Sequence, residues 1–446
     1  MLSPTLVARY DRSGPRYTSY PPVPRWPTDV ADDAWTSFLD GIDRPTALYV
    51  HVPFCWQQCA YCGCNMVVSR RQSAGDRYLD ALAKQIDTLP PLDLAWIHLG
   101  GGTPTWLSPA QLDRLFHQLD RRGSRRPQTE VSIEVDPRST HLAHIDTLAR
   151  HRVTRLSIGV QSLDPTVLQG VSRATEAAKI ERLVAHSRAR GIASVNFDLM
   201  TGLPHQTPET LQRTIDTLLE WRPDRLSVFG YAHVPWMKSN QRAIDESALP
   251  NATERATLRL IAYDRLTKAG FRAIGFDHFA RRGDALEMAL GQGTLGRNFM
   301  GYTPYRGLPV VALGPSGISE FEGRFVQVES HLGRWYRALE QQGRVPVVRA
   351  YTSDPDDRLN AAIIEALLCQ GAIDTGTIER RFGRLPDSWT ASLQRLAPLE
   401  ADGLVERGPE GVRATERGRF FLRVIAMAFD PALPRDEGVR RYSRTA

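Results

Sequence analysis

Cysteine is scarce in this sequence, and lysine is scarcer. Five cysteines in 446 residues are too few for the disulfide framework of a secreted scaffold; Cys55, Cys59, Cys62 and Cys64 crowd one short stretch while Cys369 stands alone. Lysine occurs only at Lys84, Lys179, Lys238 and Lys268, so nearly all of the 56 basic side chains are arginines, which pair bidentately with carboxylates. No stretch approaches the roughly 18 consecutive apolar residues of a membrane span. The nearest, Val424 to Phe429, is far too short, and membrane insertion is not expected. The opening MLSPTLVARYDRSGPRYTSYPP has neither an apolar signal core nor a small-residue cleavage site, which points to a cytoplasmic location. At 42% hydrophobic and 24% charged, the composition excludes disorder as the main theme. A net charge of +6 over so long a chain describes a solvated shell, and no nucleic-acid partner is expected.

The length corresponds to about two or three domains. Residues 1–45, rich in proline and aromatics and without a period, read as an arm lying over something else. From residue 46 to about 350, β-rich runs at 47–53, 94–102, 130–137, 155–162, 194–202 and 225–232 alternate with amphipathic stretches at 75–89, 109–120, 175–191 and 208–221. Strand, helix, strand at this spacing implies a parallel sheet. The fold class expected is therefore α/β, an incomplete (β/α)6 TIM-like barrel, with further runs at 271–280 and 309–319 extending or flanking the sheet in an unassigned order. Residues 351–446 change to helices followed by a hairpin turning at Pro409-Glu410-Gly411, a winged-helix-like pattern. On an enzyme-like barrel such a domain reads as an interaction or lid module.

The strongest chemical signal is CWQQCAYCGCN, Cys55 to Asn65, directly after the first strand. Its spacing is C-x3-C-x2-C-x-C. Thiolates at Cys55, Cys59 and Cys62 can hold a four-iron four-sulfur cluster and leave its fourth iron without a protein ligand. Structural zinc would want two knuckles with two to four intervening residues, and Cys62-Gly63-Cys64 has one. In a (β/α) barrel the site forms at the C-terminal strand ends. Those ends carry His51, Gly100-Gly101-Gly102, Glu134, Asp136, Gln161, Asp198 and Tyr231 to His233. No G-K-[ST] follows the glycines, which excludes a Walker loop. Taken singly, Asp198 reads equally as a ribose-hydroxyl acceptor or a loop cap, and Arg173 as a surface arginine.

The string YVHVPFCWQQCAYCGCN, preceded by SGPRYTSYP and followed by IHLGGGTPTWL, SIEVDPR, RLSIGVQS, FDLMTGLPHQTPET, PDRLSVFGYAHVP, GFDHFARRGD and RNFMGYT, resembles the oxygen-independent coproporphyrinogen III oxidase (dehydrogenase) family of the radical S-adenosylmethionine superfamily. The resemblance runs from about Leu6 to the C-terminus. It implies a [4Fe-4S] cluster on Cys55, Cys59 and Cys62. It also implies two molecules of S-adenosylmethionine, one contacted by Tyr49, Gly101, Glu134 and Ile318, the other by Tyr61, Gly102, Thr103, Gln161, Arg173, Asp198 and Ala232. Because a fourth thiolate would block the open iron, Cys64 is expected to have a catalytic role instead, on the substrate side or in a proton or hydrogen-atom step.

The implied reaction converts two propionates of coproporphyrinogen III to vinyl groups without oxygen. Its partners are the anionic tetrapyrrole and a low-potential electron donor such as a flavodoxin or ferredoxin, and a monomer is expected. Four propionates call for arginines in the mouth, with Arg16, Arg138, Arg281, Arg282 and Arg297 as candidates. Met300, where the family usually has glutamine, and Pro309, near a usual acidic position, admit a changed pocket or another substrate. A haem-binding carrier on the same barrel is a competing reading, and Cys64 counts against it. A zinc-dependent winged-helix DNA-binding protein is a third, resting on the C-terminal pattern and the positive charge.

Overall fold

The structure, a computed structural model, describes residues 4–433 and 444. In β1 (Thr46–Val52), Leu48, Val50 and Val52 enter the main apolar core, while Ala47, Tyr49 and His51 turn to the opposite face, as the two-residue period of a strand requires. The same division recurs in β2 (Leu92–Gly101), β3 (Gly123–Val135), β4 (Arg155–Gln161), β5 (Ser194–Thr201) and β6 (Arg225–Gly230), each parallel to the one before. Helices α1 (Ser73–Asp87), α2 (Pro109–Leu119), α3 (Leu142–Arg150), α4 (Ala177–Ala189) and α5 (Pro208–Glu220) form the crossovers. Their start signals are local. At α2, Pro109 follows Ser108, whose hydroxyl accepts from the Gln111 N–H while the Gln111 amide oxygen accepts from the Ser108 N–H.

The flanking runs find their places at the two edges. A hairpin of β7 (Phe271–Ile274) and β8 (His278–Arg281) adds to β6 in antiparallel sense. On the other side β9 (Val310–Leu313) lies parallel to β1, followed by antiparallel β10 (Ile318–Phe321), β11 (Arg324–Val328) and β12 (Val347–Thr352). The 12-stranded order β12-β11-β10-β9-β1-β2-β3-β4-β5-β6-β8-β7 is an open barrel-like sheet, and the expected six-unit series forms its centre. The face away from the helices is polar. His98, Ser132, Ser157, Asn196 and Ser227 are buried along it. Its N-terminal end is closed by Glu130, which accepts from Arg155 and Tyr305, and by the Arg225–Asp284 pair. Among the described residues it is the C-terminal strand ends that open on a cavity, where such a fold forms its site.

After residue 353, helices Pro355–Gln370, Thr375–Phe382 and Trp389–Ala401 precede a three-stranded sheet of Ala372–Asp374, Gly411–Ala414 and Val405–Gly408, in that spatial order. The wing is tighter than the sequence suggests, because Gly408 already pairs with Gly411 and only Pro409-Glu410 turn. A Cβ on Gly411 would lie 2.0 Å from the Ile373 carbonyl oxygen, which is why the third strand can pack there only against glycine. The first part of the arm belongs to this second core, whereas Trp35, Phe38 and Leu39 of its short helix Ala34–Leu39 enter the main one. Leu6, Val7, Tyr10, Tyr17 and Tyr20 pack with Leu359, Ile363, Leu367 and Phe421, and the Tyr17 and Tyr20 hydroxyls donate to the two carboxylate oxygens of buried Asp430 at 3.0 and 3.1 Å. Among the described residues no helix is long and apolar enough to cross a membrane.

Candidate functional site

A cavity of about 740 Å³ opens at the C-terminal strand ends. Cys55, Cys59, Cys62, Cys64, Tyr61, Gly101, Gly102, Thr103, Glu134, Gln161, Arg173, Asp198 and Ala232 all line it, so thirteen of the fifteen residues singled out from sequence share one space. Two do not reach its wall. Tyr49 lies behind the glycine strand, against Gly100 and Glu134, with its hydroxyl on His51 Nδ1 at 3.0 Å. Ile318 opens β10 and pairs with Gln327 of β11. The arm from Gly14 to Pro24 supplies another wall, a role its irregular sequence does not announce.

The cysteine loop is held from several sides. The Asn240 amide donates to the carbonyls of Cys59, Ala60 and Cys62 at 3.2, 2.9 and 3.0 Å, and Gln241 donates to those of Tyr61 and Ala232. His51 accepts from Tyr49 at Nδ1, so Nε2 carries the proton that meets the Asn65 carbonyl at 2.8 Å; burial keeps this imidazole neutral by lowering its pKa. The thiols differ. Burial pushes Cys55 up to about 12, against the hydrogen bond with Thr103 Oγ1 at 3.2 Å. Cys62 is pulled down to about 6 because it accepts from the Cys64 thiol, and Cys64, the donor, is pushed up. Cys64 is also the one of the four in open contact with solvent, inside the mouth. Cys369 lies buried in the helix Pro355–Gln370, apart from the loop.

Cys59 meets a cationic network. Arg173 and Arg138 each place a guanidinium nitrogen 3.2 Å from its sulfur, and both pair with Asp136, while Arg173 also donates to the Gly159 carbonyl at 2.6 Å. Arg173 is therefore no surface arginine. Burial alone would raise Asp136, but Arg173 and Arg138 outweigh it and hold the carboxyl at about 2. Asp136→Asn should leave both buried guanidiniums uncompensated and destabilise the fold by about 3–5 kcal/mol in urea melts at neutral pH. The folded pKa lies below the unfolded value of about 3.9, so this contribution is full above that pH and fades as pH falls toward 2. The gap between wild type and variant should accordingly be the same at pH 7 and pH 5 and narrower at pH 3.

Glu134 accepts from the Gly101 N–H at 3.1 Å and stands 3.7 Å from His98. Asp198 accepts from Ser157 and Asn196 at 3.0 and 2.8 Å, and burial, reinforced by Glu134, raises its pKa. Gln161 sits at φ +68°, a conformation rare for a residue with a side chain and characteristic of constrained sites.

The arginine candidates separate. Arg16 and Arg138 line the cavity. Arg281 does not, because β8 runs antiparallel and carries it to the closed end, where it donates to the Pro223 carbonyl; Arg282 follows it in the turn. Arg297 donates to the backbone carbonyls of Arg16 and Tyr17 instead of lining the cavity. Met300 packs on a cluster of Ala47, Trp96 and Val310, and the Pro309 carbonyl accepts from Ala47 at the start of β1. Neither departure is part of the cavity wall.

Four cysteines of one loop line one cavity, with two arginines directed at one sulfur; this set fits an anionic cluster held by three thiolates, and the adjoining carboxylates and glycine strand end fit a ligand bearing an amine and hydroxyls. The Radical SAM superfamily matches residues 49–218, and the HemN C-terminal domain matches residues 353–421. The oxygen-independent coproporphyrinogen III oxidase of Escherichia coli is 38% identical over 98% of this chain and 97% of its own, and that of Pseudomonas aeruginosa is 36% identical over the same shares. The solved coproporphyrinogen III oxidase (HemN) from Escherichia coli, described as a radical SAM enzyme, superposes with a TM-score of 0.90 at 37% identity, over 94% of this chain and 98% of that one.

Proposed function

Because this chain belongs to the oxygen-independent coproporphyrinogen III oxidase family of radical S-adenosylmethionine enzymes, whose cofactors are a [4Fe-4S] cluster and S-adenosylmethionine, we propose that it converts two propionates of coproporphyrinogen III to vinyl groups, giving protoporphyrinogen IX. The observation carrying this reading is that the cysteine loop, the polar ends of the parallel strands and the arm all open on one cavity. Bound there, the cluster and S-adenosylmethionine supply the electron and the 5′-deoxyadenosyl radical that starts each oxidative decarboxylation. Cys55, Cys59 and Cys62 hold the cluster, and Arg173 and Arg138 offset its negative charge. Glu134 and the backbone at Gly101 orient the reacting S-adenosylmethionine; Thr103, Gln161, Arg173 and Asp198 border the place of a second. The arm walls the space, and limiting water there protects a reactive species from diversion. A low-potential donor, a flavodoxin or ferredoxin, supplies one electron per S-adenosylmethionine cleaved, and each propionate loses a hydrogen atom, carbon dioxide and one further electron, which passes to an electron acceptor, to become a vinyl group.

The location of Met300 and Pro309 outside the cavity wall supports the family's substrate over a new one. Anaerobic incubation with dithionite, S-adenosylmethionine and coproporphyrinogen III should yield the divinyl product and 5′-deoxyadenosine. Stoichiometric haem binding without vinyl formation would replace this reading with a carrier. Glu134→Ala and Asp198→Ala should each weaken S-adenosylmethionine binding about tenfold or more, as expected for a lost charge-assisted hydrogen bond, with iron content unchanged in equilibrium dialysis of the reconstituted protein. Loss of iron in both variants would assign these carboxylates to the fold.

A further inference from the structure

The arm carries a cationic group that the fold leaves unspent. Arg423 donates to the carbonyls of Gly14 and Pro15 at 2.6 and 3.3 Å, and Arg297 donates to those of Arg16 and Tyr17 at 2.8 and 2.7 Å. One buried and one half-buried guanidinium thus fix four consecutive backbone carbonyls, and Asp430 anchors the Tyr17 hydroxyl at the end of the same run. Tyr17 is held at φ +48°. What this scaffold presents to the cavity is Arg16, an exposed residue of its wall. Among the described residues none accepts a hydrogen bond from its guanidinium or forms an ion pair with it.

The surroundings are cationic. Arg16, Arg259, Arg297 and Arg423 gather around Asp277, whose carboxylate is already hydrogen-bonded to His278 at 2.6 Å. Burial first, and then the three neighbouring arginines, lower the Arg423 pKa to about 9. Arg259 is occupied by the Phe420 carbonyl, as Arg297 and Arg423 are by the arm. Of these four arginines, Arg16 alone is left to receive an anion.

We propose that Arg16 is the carboxylate anchor of the cavity, taking one propionate of the substrate bidentately through its guanidinium fork, with Arg297 and Arg423 as positioning residues that aim it. This rests on the substrate being a tetrapyrrole with several propionates. A molecule bearing near-identical acids needs one of them fixed before another can be offered to the reacting centre. The anchor stands on the arm and the reacting centre on the cysteine loop, and both face the same space.

Arg16→Gln removes no bond of the fold, so the variant should load iron and cleave S-adenosylmethionine with dithionite in the absence of substrate as the wild type does. Fluorescence quenching of the tetrapropionate coproporphyrin III should show binding weakened about tenfold or more, the measure of a charged hydrogen-bonded pair, and KM for coproporphyrinogen III should rise with a smaller change in kcat. Arg16→Lys, which keeps the charge and loses the fork, should fall between. Unchanged binding and KM in Arg16→Gln, or a parallel loss of iron, would overturn the assignment. A wild type that makes no vinyl groups yet binds the tetrapropionate through Arg16 would sink the functional reading and leave the anchor standing. A wild type that binds none would sink the anchor.

Discussion

Serine at Cys55, Cys59 or Cys62 is expected to strip the protein of most of its iron and sulfide and of all measurable turnover, whereas Cys64→Ser should keep both iron and sulfide and lose activity only. The asymmetry follows from placement. Cys55 is buried beside Thr103, and Cys59 lies between two guanidiniums. Asn240 pins the backbone that carries Cys59 and Cys62. Cys64 lies past Gly63, in solvent contact and hydrogen-bonded to Cys62. Residues two apart in an extended step share a face, so spacing alone would admit Cys64 as a fourth ligand. Chemistry separates the two possibilities, because a fourth thiolate would occupy the coordination position that S-adenosylmethionine requires. We therefore place Cys64 on the substrate side. Iron and sulfide analysis, with electron paramagnetic resonance of the reduced state with and without S-adenosylmethionine, distinguishes them: a Cys64 variant as iron-poor as the other three would overturn the three-ligand set.

The parts of the site legible in the sequence are those written in local pattern. Alternation along 47–53 and its five repeats specified the central strands, because each strand has one face in the helix-side core and one in the polar interior. The strand ends then located Glu134, Gln161 and Asp198. What stayed hidden depends on contacts between distant residues. Asn240, 181 residues from Cys59, has no signature in its own segment. Asp136 was visible as a strand-end acid, but its role as partner of two arginines emerges only when the end of β3, the Cys59 loop and the segment after β4 that carries Arg173 meet. The five arginine candidates were equivalent as letters. Chain direction in β8 took Arg281 to the closed end, and the docking of the arm gave Arg16 the cavity and Arg297 the carbonyls. The arm itself shows no period because its two helices, Pro4–Tyr10 and Ala34–Leu39, are too short to write one and dock into different cores, with an irregular run between them.

Alanine at Gly102 is expected to abolish iron loading and lower activity about hundredfold or more, the scale of an ångström-level misplacement in an active site. Glycines at this strand end suggest close approach of a bound ligand, and they do line the cavity. The nearer approach, however, is by the protein itself. The Gly102 N–H donates to the Val52 carbonyl at 2.8 Å, joining β2 to the end of β1 just before the chain enters the cysteine loop. A Cβ on Gly102 would stand 2.7 Å from the Phe54 carbonyl oxygen and 3.0 Å from the Pro53 carbonyl carbon. Both are backbone atoms, and Phe54 is itself locked between Tyr78 and Trp106, the latter ring at 4.4 Å, so no side chain can swing aside to relieve the contact. The strain must pass into Cys55, the next residue. Gly100→Ala is the control from the same strand. There the Cβ would meet the Tyr49 ring at 3.0 Å and a Glu134 carboxylate oxygen at 3.1 Å, side-chain atoms that can shift. That variant should load iron normally and lose S-adenosylmethionine affinity instead. Equal iron content in the two variants would mean that the glycines serve ligand approach alone, and that the spacing between strand end and cysteine loop is not what sets the cluster ligands in place.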